Sequence, residues 1–174
     1  RKFISETKPS DFDLKYENVS FKTSDNLKLD SWYIPAEDKT DKTIIVCHGY
    51  PFDKGNVLEF AGFLHKYNLL FFDFRYFGKS EGKFTTAGLY ETRDVLAAVE
   101  YLKKRNQTIG AIGFSLGAST LISANSPDIK AIVADSPYAS LDLMIKSLYR
   151  QFFFLKYPFV WCTKLVIKVI GWDI

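Results

Sequence analysis

The feature that most constrains the fold is the sequence Gly-Phe-Ser-Leu-Gly at residues 113–117. It follows the apolar run 109–112, which is typical of a buried strand. It precedes residues 118–124, which are small or apolar and suit a helix packed close to a sheet. A sharp turn between a strand and a helix strains its serine and projects the hydroxyl above the sheet. The sequence therefore predicts that Ser115 is a nucleophile.

The two glycines of this motif have a steric purpose. Gly113 and Gly117 leave space where any Cβ would clash with the neighbouring strand or helix. The helix N-terminus next to Ser115 carries a partial positive charge that favours a developing oxyanion. A glycine-rich turn with a helix-capping serine can have the same sequence. The strand before Ser115 and the helix after it favour the nucleophile.

An antiparallel hairpin is predicted near the N-terminus. Residues 13–21 and 27–34 each alternate between apolar and polar side chains, and the polar residues 24–26 between them indicate a turn. We expect this hairpin to lie at the edge of a sheet.

The middle of the chain alternates between short apolar runs and helical segments. Such runs favour parallel strands buried on both faces, and they lie at 43–47, 69–72, 109–112 and 131–134. Residues 57–67 and 90–105 have helical spacing. In the second segment, Glu91 lies off an apolar face that comprises Val95, Leu96, Val99 and Leu102. The predicted fold class is α/β, with a doubly wound, mostly parallel sheet and an antiparallel N-terminal edge hairpin.

Two further motifs follow predicted strands. Residues 48–51 read His-Gly-Tyr-Pro, and residues 73–80 read Asp-Phe-Arg-Tyr-Phe-Gly-Lys-Ser. Together with the motif at 113–117, their order resembles the α/β-hydrolase superfamily. The resemblance is closest to serine hydrolases of the Bem46 and alpha/beta-hydrolase-domain 13/17 type, and it runs from about residue 16 to residue 140.

The resemblance implies an activity and several residue roles. Members of this group hydrolyse esters, thioesters or related acyl compounds through a serine acyl-enzyme, without a metal or organic cofactor. The backbone N–H groups of Tyr50 and Leu116 would bind the oxyanion, and His48 and Gly49 would support the turn that carries Tyr50. We expect a small-molecule acyl ester or thioester as the substrate.

The motif at 73–80 implies a loop beside the site. Asp73 would anchor this loop by pairing with Arg75 or with backbone amides. Tyr76 stands where the family pattern D-x-R-G-x-G-x-S has its first glycine, so we expect a different loop path or a narrower pocket.

The catalytic histidine is missing from the expected pattern. In the family it follows the eighth strand and the acid usually follows the seventh, and this chain stops before both. Its only histidines are His48 and His65, and His65 lies on the segment 57–67, away from Ser115. Asp135, just past the sixth strand, is either an acid or a structural group.

Two hypotheses account for the missing base. The favoured one is a fragment, incomplete at the C-terminus, whose remaining strands are absent or lie on another polypeptide. The alternative is a non-catalytic binding or assembly module that keeps the hydrolase pocket. In either case we expect little or no activity from the isolated chain.

The last segment differs from the rest. We predict a hydrolase core of six strands over residues 1–140 and part of a helical cap over 141–174. Residues 141–170 carry seven aromatic residues, which would line an acyl pocket or only pack the cap: Tyr149, Phe152, Phe153, Phe154, Tyr157, Phe159 and Trp161. Lys164 and Lys168 share a helical face, a weak indication of binding to an anionic membrane surface.

Charge and cysteine content exclude several classes. The net charge is only +3, which argues against a nucleic-acid partner. Cys47 and Cys162 have no disulfide or metal-site spacing, so a reducing, cytoplasmic compartment is expected, with an anchor before Arg1 left open. The apolar stretch 152–170 is interrupted by lysines, so we expect it not to span a membrane.

Overall fold

The structure is a computed structural model that describes residues 4–148 and 156–169. The chain divides into two compact units, one ending at Pro137 and the next beginning at Tyr138. The first unit contains the sheet and Ser115. In the described residues of the second unit there are two helices.

The described part of the first unit is built on one six-stranded sheet with the order β1-β2-β4-β3-β5-β6. The strands are β1 Glu17–Lys22, β2 Lys28–Ile34, β3 Lys42–Cys47, β4 Asn68–Phe72, β5 Thr108–Phe114 and β6 Ile129–Asp135. β2 is antiparallel to both β1 and β4, and the remaining pairs are parallel. The predicted fold class and the edge hairpin are therefore confirmed.

Five α-helices are described. They are α1 Leu58–Ala61, α2 Glu91–Lys103, α3 Leu116–Ala124, α4 Leu141–Leu148 and α5 Lys156–Val169. Short 3-10 turns add Pro9–Phe12 and Gly62–Leu64. None of the described helices is long and apolar enough to cross a membrane.

The helix predicted over 57–67 is wrong in extent. Only Leu58–Ala61 is α-helical, and a 3-10 turn follows it. Gly62 has low helix propensity, and Phe60 and Phe63 are 62% and 70% exposed. The segment therefore lacks the continuous buried stripe that would extend a helix.

The apolar face of α2 also differs from the prediction. Val95, Val99 and Leu102 are buried, but Leu96 is 41% exposed and Ala98 takes its place in the core. This helix packs against α3, and the small Ala98 suits a close helix contact.

Glu91, predicted to lie off the apolar face, is fully buried at the start of α2. Its carboxylate accepts hydrogen bonds from the Thr86 amide and hydroxyl, at 2.8 and 2.6 Å, and from the Gly88 amide at 2.9 Å. The loop before α2 thus provides the donors that make burial of this carboxylate tolerable.

One face of the sheet is covered by α1 and the following turn. Eight buried residues form this core: Trp32, Ile34, Val46, Val57, Leu58, Ala61, Leu69 and Phe71. Burying a large apolar side chain contributes about 1.5–3 kcal/mol. Toward β5 the cover thins, because Ile44, Ile112 and Phe114 are only partly buried.

The strand predicted at residues 131–134 is present, but the prediction that it is buried on both faces is wrong. These residues do form a parallel strand, but Ile132 and Val133 are 40% and 59% exposed. The reason is position, since β6 is the last strand of the sheet in the described part of the chain.

Candidate active site

Ser115 occupies a strained turn between β5 and α3. Its backbone has φ 49° and ψ −108°, a region that non-glycine residues rarely adopt. The Ser115 N–H donates to the Asp135 carbonyl at 2.8 Å, and the Ser115 carbonyl accepts from the Ser119 N–H at 3.0 Å. Ser115 is exposed, whereas Leu116 and Gly117 after it are buried. The turn therefore presents one serine to solvent from a rigid base.

The glycines of the motif are required by close packing. A Cβ on Gly113 would lie 2.6 Å from the Gly117 carbonyl carbon. A Cβ on Gly117 would overlap the Cys47 carbonyl and lie 2.7 Å from the His48 oxygen. Real Cβ atoms do not approach backbone this closely. The start of α3 therefore rests directly on the end of β3.

The turn at 48–51 lies against Ser115. A Cβ on Gly49 would be 3.4 Å from the Ser115 Cβ and 3.1 Å from the Phe114 oxygen. The Phe52 N–H donates to the Gly49 carbonyl at 3.0 Å, and the Tyr50–Pro51 peptide is cis. Leu116 is the first residue of α3, so its N–H precedes any intrahelical acceptor. The Leu116 amide thus adjoins Ser115 in the chain, and the Tyr50 amide follows Gly49, which lies against Ser115. The oxyanion role of both amides stays a prediction.

His48 joins this turn to the next loop. Its ring is fully buried, and Nε2 accepts the Phe74 N–H at 3.0 Å. Nδ1 lies 3.0 Å from the Gly49 carbonyl, so it carries the proton. Burial lowers the pKa of His48 below its ordinary 6.5, although Asp73 opposes this effect. Because both nitrogens are engaged, the ring holds the loops rather than acting on Ser115.

Asp73 anchors the loop after β4, but not through Arg75. The Asp73 carboxylate accepts the Lys54 N–H at 2.9 Å, the Lys54 ammonium at 2.6 Å and the Lys79 N–H at 2.9 Å. The expected backbone amides are therefore present, and Lys54 is the cation. Burial lowers the pKa of Lys54, but the carboxylates of Asp73 and Asp30 outweigh it and raise that pKa.

Arg75 pairs with two other aspartates. It donates to the Asp94 carboxylate from Nε at 2.9 Å and from Nη2 at 2.7 Å, and to the Asp25 carboxylate from both terminal nitrogens. These hydrogen bonds hold the pKa of Asp25 well below its usual range. The guanidinium therefore ties the loop to α2 and to the turn of the N-terminal hairpin.

Tyr76 stands in a backbone conformation that side chains rarely adopt. Its φ is 74°, in the left-handed region that disfavours side chains. Its N–H donates to the Glu81 carbonyl at 2.8 Å. The expected different loop path or narrower pocket stays a prediction.

His65 lies at the other end of the sheet. Its Nε2 is 3.0 Å from the Glu37 carboxylate and its Nδ1 is 3.2 Å from the Gly62 carbonyl. It precedes the first residue of β4, whereas Ser115 follows the last residue of the parallel strand β5. His65 therefore cannot act as the base.

Asp135 reaches the elbow through its main chain. Its carbonyl accepts the Ser115 N–H, and its carboxylate accepts the Ser136 hydroxyl at 2.7 Å. Its role as an acid stays a prediction. Among the described residues, no group of three or more His, Cys, Asp or Glu could hold a metal.

The cap segment is described only in part. In α5, Tyr157 and Trp161 are 78% and 65% exposed. Tyr149 and the phenylalanines at 152–154 lie outside the described residues, as do the side chains of Phe159 and Lys168. Lys164 is paired with Asp142, and the membrane-surface hypothesis stays a prediction.

Sequence reasoning missed Lys54, Glu91 and Asp94. All three are buried, yet a charged residue in a loop or at a helix start is normally solvated. Only Glu91 had a local signal, because the threonines at 85 and 86 offer nearby donors. The partners of Lys54 and Asp94 come from other elements.

Comparison with known proteins assigns the family. The model of the X-Pro dipeptidyl-peptidase (S15) family matches residues 21–161. The chain belongs to this family. Among solved structures, an esterase of Pyrococcus furiosus is 33% identical, with a TM-score of 0.76, over 95% of this chain and 69% of that one. The predicted superfamily of serine hydrolases is therefore confirmed.

Curated relatives of this S15-family chain are longer than it is. The uncharacterized protein YqkD of Bacillus subtilis is 35% identical over 122 residues, 63% of this chain and 39% of the relative. Protein bem46 of Schizosaccharomyces pombe is 26% identical over 153 residues, 81% of this chain and 50% of the relative. The chain spans about half the length of the curated relatives it matches, or less.

Replacing Gly117 by alanine should disturb the contact between α3 and β3. The new Cβ would meet backbone that cannot move independently, so we expect a loss of about 1–3 kcal/mol or more in the free energy of unfolding. Urea denaturation measures this loss. The matched control is Gly110→Ala in β5, where a Cβ would meet nothing closer than 3.7 Å. Equal stability of the two variants would contradict the account.

Acid should destabilise the fold through His48. The unfolded chain binds a proton at His48 below about pH 6.5, whereas the buried ring resists it. The His48 contribution is therefore present above that pH and is lost as the pH falls. We expect His48→Asn to flatten the fall in unfolding free energy between about pH 7 and pH 5. An unchanged slope in this variant would show that the ring charges freely in the folded state.

Proposed function

We propose that this chain carries the nucleophile half of a hydrolase that cleaves a carboxylic ester or thioester through an acyl-enzyme on Ser115. The observation that carries the proposal is the strained, exposed serine between β5 and α3, with the Gly49 turn packed against it. The likeness to the Pyrococcus furiosus esterase supports an ester substrate. The family description, X-Pro dipeptidyl-peptidase, belongs to relatives that cleave peptides.

The proposed chemistry has two steps. The Ser115 oxygen attacks the acyl carbonyl while a base takes its proton, and the alcohol or thiol leaves with that proton. Water then attacks the acyl-enzyme as the base takes its proton, the serine oxygen leaves with that proton, and the acyl group is released as a carboxylic acid. The N–H groups of Tyr50 and Leu116 would hold the oxyanion in both steps, and loss of one such donor typically lowers the rate about 10²–10³-fold.

Neither histidine of this sequence is placed to act as the base. His48 is locked between loops and His65 lies at the far end of the sheet. We therefore propose that a further segment of the protein, or a second polypeptide, supplies the histidine and the acid. A chain that spans about half of its relatives' length is consistent with this.

Two surfaces of the first unit support such a completion. The outer strand β6 exposes Ile132 and Val133, and an exposed apolar edge strand readily pairs with another strand. On the sheet face that α1 covers only partly, an open groove of about 260 Å³ lies at the amino ends of β3, β5 and β6, away from Ser115, and its lining includes Ile44, Gly110 and Ala131.

The proposal also assigns residues 141–174 to part of a cap that lines an acyl pocket.

The test is hydrolysis of p-nitrophenyl acetate with free imidazole as a substitute base, after subtraction of the rate that the same imidazole concentration gives without protein. We expect background turnover from the isolated chain, and an imidazole-dependent increment that Ser115→Ala removes, because a general base contributes about 10²–10⁴-fold. The matched control is Ser123→Ala, an exposed serine of the same helix, which should keep the increment.

Two results would contradict the proposal. An increment that survives Ser115→Ala would remove the nucleophile. Robust Ser115-dependent turnover without imidazole would show that the chain holds its own base.

A further inference from the structure

The loop that carries Tyr50 is anchored by buried side chains at its two ends, whereas its tip is exposed apart from a contact between the Tyr50 and Phe77 rings. This loop follows β3, comprises residues 48–54, and is called the 48–54 loop below. At its tip, Tyr50 and Phe52 are 64% and 47% exposed. At its start, the His48 ring accepts the Phe74 N–H. Its end is held by Lys54, whose side chain is only 4% exposed.

Lys54 binds one carboxylate twice. Its main-chain N–H donates to Asp73 Oδ1 at 2.9 Å, and its ammonium donates to Asp73 Oδ2 at 2.6 Å. The ammonium also donates to Asp30 Oδ2 at 2.6 Å and lies 4.6 Å from the centre of the Trp32 ring. The main chain and the side chain of Lys54 are therefore both bound to the Asp73 carboxylate, whereas the side chain of a solvated lysine would be free to move.

The group that receives Lys54 is itself rigid. The Asp73 N–H donates to the Asp30 carbonyl at 2.9 Å, and the Asp73 carbonyl accepts the Ser80 hydroxyl at 2.6 Å. Asp73 is fully buried, where charge-assisted hydrogen bonds are stronger than in water. The end of the 48–54 loop is therefore attached to a fixed point beside β4 and β2.

We propose that Lys54 is a positioning residue, whose ammonium clamps the 48–54 loop onto Asp73 and so holds the Tyr50 amide beside Ser115. The inference rests on the proposed function, because it assigns the loop a donor for the oxyanion. The physical reason is geometric. A donor must lie about 2.7–3.1 Å from the oxyanion, and a displacement of about 1 Å can cost 10²-fold in rate.

The experiment uses the full chain and two readouts. One is imidazole-supported hydrolysis of p-nitrophenyl acetate, resolved into kcat and KM. The other is hydrogen exchange of the backbone amides in the 48–54 loop, which needs no activity. Lys54→Met keeps the aliphatic stem and removes the ammonium. The matched control is Lys103→Met, the same change at a lysine of α2 that is 43% exposed.

With Lys54→Met we expect kcat to fall about 10–100-fold while KM changes less than about threefold. Amide exchange should rise about tenfold in the 48–54 loop and stay unchanged in β3 and β5. Lys103→Met should alter neither readout. Asp30→Asn changes only a side chain, whose contact with the loop is the Lys54 ammonium. This variant should move both readouts in the same direction by a smaller factor.

Wild-type exchange in the loop of folded Lys54→Met and Asp30→Asn would overturn the inference. An equal rise across β3 and β5 would overturn it too, because it would mean general destabilisation. If Lys54→Met does not fold, Asp30→Asn decides. Absence of Ser115-dependent turnover in the wild type would count against the proposed function, and the exchange readout would still decide whether Lys54 holds the loop.

Discussion

The arrangement of the site depends on the direct contact between the start of α3 and the end of β3. Gly117 lies so close to the carbonyls of Cys47 and His48 that no side chain fits. This contact sets where Ser115 stands relative to the 48–54 loop, because one element carries the nucleophile and the other leads into the loop. Strain at Ser115 is tolerated because the strand before it and the helix after it are both packed.

Buried ion pairs fix the loops around this contact. Lys54 ties the loop after β3 to the loop after β4 through Asp73 and to β2 through Asp30, and Arg75 ties the loop after β4 to α2 through Asp94. Removing one partner of a buried pair leaves an uncompensated charge. The loops around Ser115 are therefore fixed by electrostatic contacts, whereas the strands beneath them are fixed by apolar packing.

The sheet and the nucleophile turn could be predicted from sequence because their signals are local. Continuous apolar runs indicate buried strands, and the spacing of Gly113, Ser115 and Gly117 specifies a tight turn. The partners of Asp73 and Arg75 could not be predicted, because Lys54, Asp25 and Asp94 meet them only in the folded chain. The burial of 131–134 was overestimated because an apolar run does not reveal whether its strand lies at a sheet edge.

The central claim is that this chain positions a serine but does not supply the base that activates it. The most direct test is the rate at which a fluorophosphonate probe labels Ser115, followed by intact mass and peptide mapping, with and without imidazole. The account predicts slow labelling that imidazole accelerates about tenfold or more. Rapid labelling of Ser115 that does not respond to imidazole would contradict it.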